Sequence, residues 1–441
     1  MIEKYLVKKI TEPVDWKVTV PGSKSMTNRA LLMAVLSAGT VRVEGVLFSD
    51  DSRHFLACLV ALGFTVEIEE EKKCVTVTGC GGRIPRGEAV IDVGSAGTAA
   101  RFLAAMLGFS DGCYEIRCSA QMKRRPMAEL FDLLSGVGAK ITFLEEEGHL
   151  PVRITGCRYA RADKTAGETP RELSLDITKS TQFLSALLLI APMVPEGMKI
   201  HITSEKTDGS YIRITRKMMQ EFGVSVAFDG RDYEVPCRSS YRKETYMVEP
   251  DMSAACYFYA AAAVTGGRAL VRHVHMDNIQ GDLRFLEVLE HMGCTADDTP
   301  EGVLVTGPAD GALRGITVNM NDFSDQALTL AAIAPFADAP VRIEGIGHIR
   351  GQECDRIHAI QTNLTALGIR CEEEETAATI YPGSPHGGSV ETYDDHRVAM
   401  AFSLVGLRTD GIVIENPACC RKTFENYFTV LSELTGKKTE A

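Results

Sequence analysis

Basic residues in this chain gather where a polar stretch meets an apolar one. Lys24 and Ser25 with Arg29, Gln121 to Arg125, Arg350 to Arg356, and His396-Arg397 with Lys422 form four such clusters. Each alone reads as a solvated charge. Their recurrence points to one shared site for a polyanion. Arginine grips phosphate and carboxylate through paired N–H donors, and lysine supplies a point charge. Acidic residues stand among them: Asp325, Glu353, Asp355 and Asp395. A carboxylate in an anion site is costly unless it moves protons or orients an arginine. Asp355 and Asp395 adjoin arginine or histidine and read as orienting groups. Asp325 opens a helix. There it is either a cap or a base that surrounding positive charge keeps ionised.

The elements that carry these residues repeat. A few polar residues followed by a helix of Ala, Leu and Met occur as KSMTNRALLMAVL from Lys24, SAGTAARFLAAML from Ser95 and STQFLSALLLIAP from Ser180. The pattern returns as SAACYFYAAAAV from Ser253, SDQALTLAAIAP from Ser324 and HRVAMAFSLVGL from His396. From Ser25, the spacings are 70, 85, 73, 71 and 72 residues. Six copies of one unit account for the length. In each, an amphipathic helix follows and ends at a glycine: Gly63, Gly138, Gly223, Gly293, Gly368 and Gly436. Glycine just past the last apolar residue is a helix C-cap. Short β-like runs such as FTVEI, AKITF and VSVAF come next. Each unit therefore reads as buried helix, strand, amphipathic helix, strands: an α/β repeat whose first helix is packed inside.

A buried helix tolerates polar residues at its N-terminus, where unpaired N–H groups and the dipole favour an anion. By this reading Ser95, Ser180, Ser253 and Ser324 are N-caps. The sixth unit has no strands after Gly436, so the N-terminal strand is expected to complete it. Three units, residues 21–247, make one domain. The other three, with residues 1–20, make the second, 248–441. The chain would cross twice, near Val20 and Val248, as a hinge, and ligand sites favour domain interfaces.

Composition narrows the function. The 441 residues carry 47 basic and 59 acidic side chains, a net charge of −12. Nucleic-acid binding usually leaves a basic footprint, so the overall balance argues against it while leaving room for local basic clusters aimed at a small anion. The longest apolar run, Phe183 to Val194, is too short to span a bilayer. The N-terminus has no apolar h-region and reads as no signal peptide. Thirteen scattered cysteines fit a reduced, cytoplasmic protein. His273-Val-His275 has no further cysteine or histidine close in sequence, so it reads as a strand edge and no metal site is expected.

PGSKSMTNRALL, GSAGTAAR, RRPMAEL, STQFLSALL, SDQALTLA, RGQECDRI, YDDHRVAMAFSL and CRKTF occur in one order across the whole chain. That ordered set resembles the EPSP synthase family, the 3-phosphoshikimate 1-carboxyvinyltransferases. The resemblance implies a two-domain inside-out α/β barrel, each domain of three βαβαββ-type units with buried helices inside and sheets outside. It also implies transfer of the enolpyruvyl group of phosphoenolpyruvate to the 5-hydroxyl of shikimate 3-phosphate, without metal or organic cofactor, in a cytoplasmic monomer. It assigns Lys24, Gly97, Thr98, Arg125, Gln182, Arg356, Arg397 and Lys422 to phosphoenolpyruvate. It assigns Lys24, Ser25, Arg29, Ser180, Thr181, Gln182, Tyr211, Asp325 and Gln352 to shikimate 3-phosphate. Asp325 resembles the base for the 5-hydroxyl and Glu353 the proton carrier at C3, with Lys24 and His396 assisting; the Asp325 and Glu353 roles are interchangeable at this stage.

Several positions depart from the commonest family pattern. Ser95 replaces an asparagine, Asp208 a serine, and Phe102 a proline. His348 to Gln352 replaces a run that ends in lysine, so Gln352 lacks that charge and Arg350 is the nearby candidate to supply it. Two other readings are a UDP-N-acetylglucosamine enolpyruvyl transferase and a non-catalytic anion-binding repeat protein. The first typically opens with Lys-Asn where this chain has Lys24-Ser25. The second does not need Lys24, Asp325, Glu353 and His396 together.

Overall fold

The structure, a computed structural model, describes residues 3–157, 169–308 and 312–436. The α-helices among them are α1 Lys24–Leu36, α2 Asp50–Ala61, α3 Gly97–Gly108, α4 Ala120–Lys123, α5 Ala128–Gly136, α6 Thr181–Ile190 and α7 Ser210–Glu221. They continue with α8 Met252–Thr265, α9 Phe285–His291, α10 Ala327–Ile333, α11 Arg356–Ala366, α12 His396–Arg408 and α13 Tyr427–Leu434. The chain forms two compact units. One holds the residues up to Pro21 together with those from Pro250 onward, and the other is Gly22–Glu249.

Each repeat begins with a helix lacking a polar face. In α1, every residue from Met26 to Leu36 is buried, and in α3 every residue is. The same holds for α6 beyond Gln182, for most of α8, for all of α10, and for α12 up to Leu407. Helices apolar all round belong inside. The second helix of each repeat buries one stripe, as in α7, where Ile212, Ile214, Thr215, Met218 and Met219 face inward. Each second helix stops at its expected glycine, and these six glycines have φ between 65° and 105°. A Cβ is strongly disfavoured in that left-handed region.

The sheets carry the outer surface, with strands that alternate buried and exposed residues. Glu88–Asp92 runs parallel to Cys113–Arg117, which pairs antiparallel with Val152–Thr155, itself antiparallel to Lys140–Phe143. A parallel pair needs a crossover, and α3 supplies it. The first and fourth repeats have no strand of their own ahead of the helix. Thr245–Met247, from the end of the third repeat, runs parallel to Thr40–Glu44 and completes the first sheet. Asp15–Val18 runs parallel to Arg268–Arg272 and completes the fourth. The N-terminal strand Lys4–Leu6 pairs antiparallel with Ile412–Glu415 of the sixth repeat, as expected from its missing strand.

No described helix is long and apolar enough to cross a membrane. Among the described residues, no group of three or more His, Cys, Asp or Glu forms a metal cage. His275 Nδ1 instead lies 2.8 Å from Asp298 Oδ1.

Candidate active site

Within Gly22–Glu249, the N-termini of α1, α3 and α6 are pinned to one another by polar side chains. Asn28 of α1 donates to Thr98 Oγ1 of α3 at 2.6 Å. Arg101 of α3 donates to Gln182 Oε1 of α6 at 2.8 Å. Arg29 of α1 reaches α6 and α7. Its Nε donates to Thr215 Oγ1 at 2.8 Å, and Nη2 to the Tyr211 carbonyl at 3.2 Å and Ser185 Oγ at 3.4 Å. Its Nη1 returns to the Ser25 carbonyl at 2.9 Å. The rings of Phe102 and Tyr211 flank the guanidinium, with centroids 5.3 and 5.7 Å away. The oxygens holding Arg29 are neutral, and the residue is fully enclosed. Burial lowers its pKa to about 10, which leaves it charged at neutral pH. Arg29 therefore sits deeper than a residue at a helix mouth, beneath Ser25 rather than beside it.

Lys24 stays near the surface of this unit, 3.4 Å from the buried Asp51. Ser25 Oγ is 3.2 Å from Ser23 Oγ. Arg125 lies over the first turn of α3: a Cβ added at Gly97 would come within 2.4 Å of Arg125 Nη1. Gly97 thus lets a guanidinium approach the backbone N–H groups of a helix start, an arrangement suited to an anion. Ser180 caps α6 by accepting from the Gln182 N–H. Thr181 lies next to Gly209, the residue before α7, whose added Cβ would meet Thr181 Cγ2 at 3.6 Å.

The other unit has a cluster of opposite character, built on carboxylates. Arg356, at the start of α11, is 1% exposed. Its Nη1 donates to Asp325 Oδ1 at 3.0 Å and its Nη2 to Glu353 Oε2 at 3.0 Å. Its Nε donates to Asp395 Oδ2 at 2.8 Å. Burial alone would lower the pKa of this arginine; Asp395, Glu353 and Asp325 outweigh it and raise the pKa. Arg397, at the start of α12, donates to Asp325 Oδ2 at 2.9 Å. Lys422 lies 3.2 Å from Glu353 Oε1. Asp325 and Glu353 are thus held at the two ends of one rigid guanidinium, each with a second cation. Asp395 also caps α12 through the Arg397 N–H at 2.8 Å. His396 is buried, with Nδ1 3.7 Å from Asp395 Oδ1.

Two sequence expectations change. Of the four serines read as caps, only Ser180 caps with its side chain. Asp251 caps α8, and Ser253 instead donates to Asp282. Ser95 bonds Ser119 at 2.7 Å, and Ser324 bonds His348 at 2.8 Å. An ionised carboxylate next to a serine is the stronger acceptor for helix N–H groups, which displaces Ser253 from the task. Arg350 does not replace the charge that Gln352 lacks. Its guanidinium is taken by Asp355 at 2.8 Å, Glu373 at 2.7 Å and the Glu375 carbonyl at 3.0 Å. Gln352 turns its carboxamide oxygen to Arg356 and joins the carboxylate ring around it. Asp208 pairs with Arg213 at 2.8 Å.

Asp51 and Asp282 are among the buried acids that escaped the sequence reading. Asp51 resembles an ordinary first-turn acid of α2. Asp282 precedes the amphipathic FLEVLEHMG and looks like a helix-start residue. It is instead enclosed, and its carboxyl is pushed up to about 6, by burial first and then by the charge of Asp325. Only its long-range neighbours mark it, which no local pattern carries.

A family model described as EPSP synthase (3-phosphoshikimate 1-carboxyvinyltransferase) matches residues 8–431. The 3-phosphoshikimate 1-carboxyvinyltransferase of Trichormus variabilis is 41% identical over 429 residues, spanning 97% of this chain and 98% of that protein. The protein of the same name from Vibrio campbellii is 38% identical, spanning 96% of this chain and 97% of its own. Among solved structures, EPSP synthase from Acinetobacter baumannii superposes with a TM-score of 0.78 at 25% identity, covering 98% of this chain and 97% of that one. The enolpyruvyl transferase NikO from Streptomyces tendae shares the fold at 16% identity, with a TM-score of 0.72 over 98% and 97% of the two chains.

Proposed function

This chain belongs to the EPSP synthase family, the 3-phosphoshikimate 1-carboxyvinyltransferases, and we propose how its own residues divide the work of the reaction. The enzyme transfers the enolpyruvyl group of phosphoenolpyruvate to the 5-hydroxyl of shikimate 3-phosphate and releases phosphate, a step of the shikimate pathway. The hydroxyl loses its proton as it attacks C2 of the enol, and C3 gains a proton. The tetrahedral intermediate then expels phosphate as C3 gives a proton back.

One observation carries the division of labour. Arg356 holds Asp325 on Nη1 and Glu353 on Nη2, each at 3.0 Å. Two carboxylates fixed at the ends of one planar group can serve two proton transfers at two carbons' distance without meeting each other. Asp325, between Arg356 and Arg397, is kept ionised and takes the hydroxyl proton. Glu353, between Arg356 and Lys422, gives and recovers the proton at C3, with Lys24 and His396 assisting. Arg356, Arg397 and Lys422 neutralise the phosphate as it leaves.

The remaining assignments follow chemistry at the helix starts. Lys24, Arg125 and the first turn of α3 at Gly97 and Thr98 take phosphoenolpyruvate together with Gln182. Ser25, Arg29, Ser180, Thr181, Gln182 and Tyr211 take shikimate 3-phosphate, with Lys24, Asp325 and Gln352 completing its contacts. Thirteen free thiols fit a reduced, cytoplasmic setting, and the chain is taken to act as a monomer.

Phosphate release tests the whole reading. With phosphoenolpyruvate and shikimate 3-phosphate, release is expected; with UDP-N-acetylglucosamine as acceptor, none. Release with the second acceptor alone overturns the substrate, and no release with either overturns the enzyme.

A further inference from the structure

Asp282 has no part in the division of labour above, yet it is 7% exposed and ties three elements to the catalytic carboxylate. Its Oδ2 accepts from Gln326 Nε2 at 2.8 Å and from the Ser253 hydroxyl. Gln326 is fully buried, and its amide has one allowed orientation. The ionised Asp282 carboxylate only accepts, so the NH2 must face it, and Oε1 then accepts from Thr329 Oγ1 at 2.9 Å. Ser253 has a single hydroxyl proton, given to Asp282. What it offers Arg397 Nη2, 3.4 Å away, is therefore a lone pair. The same Nη2 donates to Asp325 Oδ2 at 2.9 Å. The path runs Asp282, Ser253, Arg397, Asp325, with each hydrogen-bond direction fixed by the one before.

We propose that Asp282 is a positioning residue for the reaction: through Ser253 it fixes the Arg397 guanidinium against Asp325, and its charge tunes the proton affinity of that base. This rests on the reading of Asp325 as the base. Its two hydrogen-bond donors, Ser253 and Gln326, are neutral. A buried carboxylate without a cation among its direct partners is costly to keep. Packing does not explain it, because an amide of the same shape would satisfy both donors. The charge itself is felt by the groups around it. Asp325 repels it and Arg397 attracts it. Asp251, the cap of α8, and Cys256, whose Sγ approaches the Asp282 carbonyl at 3.7 Å, are the other titratable neighbours. Repulsion between Asp282 and Asp325 is mutual, so each makes the other hold its proton more firmly.

The test is a double-mutant cycle of Asp282→Asn and Asp325→Asn on the full chain, with Ser253→Ala as an independent break in the same path. Asp282→Asn keeps an oxygen for both donors, removes the charge and exchanges the other oxygen for an NH2. It is expected to lower kcat by about tenfold, a coupling of ordinary size for groups in one network. It should also move the acid limb of the kcat/KM profile to lower pH, which a purely structural role would not do. In the Asp325→Asn background the same change should cost little more. Ser253→Ala is expected to reproduce the loss of kcat. Additive effects, or an unmoved acid limb with kcat within twofold of the parent in both Asp282→Asn and Ser253→Ala, would overturn the proposal. The reading of Asp325 as base fails separately, if Asp325→Asn alone retains turnover.

Discussion

Arg356 and Asp395 form an ion pair with almost no access to solvent: Nε meets Oδ2 at 2.8 Å and Nη2 meets Oδ1 at 3.3 Å, with side-chain exposures of 1% and 0%. Nη1 holds Asp325, and Nη2 also holds Glu353. One cation thus bridges three carboxylates and is the arginine that Asp395 pairs with, and the planar fork is what lets it do so.

Arg356→Lys keeps the charge and loses the fork. A single ammonium cannot serve three oxygens spread around a plane, so at least one buried carboxylate is left uncompensated. The expected loss of stability is about 3–5 kcal/mol, read from urea unfolding. A change under about 1 kcal/mol would mean that water reaches the cluster and that its burial is not what holds it.

Isotope tracing separates Asp325 from Glu353. In deuterated buffer, the parent enzyme is expected to place deuterium at C3 during addition and scramble it during elimination. Glu353→Gln should suppress that incorporation along with turnover. Asp325→Asn should slow turnover by roughly 10²–10⁴-fold, the usual worth of a positioned base, while shikimate 3-phosphate still binds by calorimetry. Suppressed incorporation in the Asp325 variant alone would exchange the two roles.

Gly97→Ala places a Cβ 2.4 Å from Arg125 Nη1 and 2.8 Å from Arg101 Nη1. Both guanidinium tips must retreat from the first turn of α3. The KM for phosphoenolpyruvate is expected to rise about tenfold with a smaller change in kcat, because a ground-state contact is lost more than a transition-state one. An unchanged KM would remove Gly97 and Arg125 from that ligand.

Asp282 gives stability a pH signature opposite to that of most carboxylates. Its folded-state pKa, pushed up to about 6, lies above the ordinary value of 3.8. Below both values the group is protonated in either state and contributes nothing. As pH rises between them the unfolded chain releases the proton and the fold keeps it, so stability falls. Above about 6 the penalty is complete, at roughly 3 kcal/mol. Asp282→Asn removes it, and the variant should gain on the parent as pH is raised from 4 to 7 in parallel denaturant titrations. A constant difference across that range would contradict the raised value. A more stable yet slower variant is the expected pattern where a charge is kept for function.

Much of this molecule is local and therefore legible in its sequence. The repeat of an all-apolar helix, a half-apolar helix and a glycine stop comes from a period of 3.6 residues and from the conformational freedom of one residue type. The polar residues before each apolar helix have nowhere else to go, so Lys24, Ser95, Ser180, Asp325 and His396 all fall at or beside helix starts. Completion of the sixth sheet by Lys4–Leu6 followed from counting its missing strands.

Tertiary structure decided the partners. The strands of the first and fourth repeats come from Thr245–Met247 and Asp15–Val18, since an unpaired parallel edge takes whichever strand the chain path delivers to it. Arg29 and Arg356 look alike in sequence, yet one is enclosed by neutral oxygens and the other by three carboxylates. Arg350, three residues before Glu353, is drawn away to Asp355 and Glu373, and Asp282 becomes a buried anion tied to Arg397 through Ser253. A residue's type fixes what it can bond, but the neighbours that reach it from distant parts of the chain are set by how helices pack, and that geometry has no period to read.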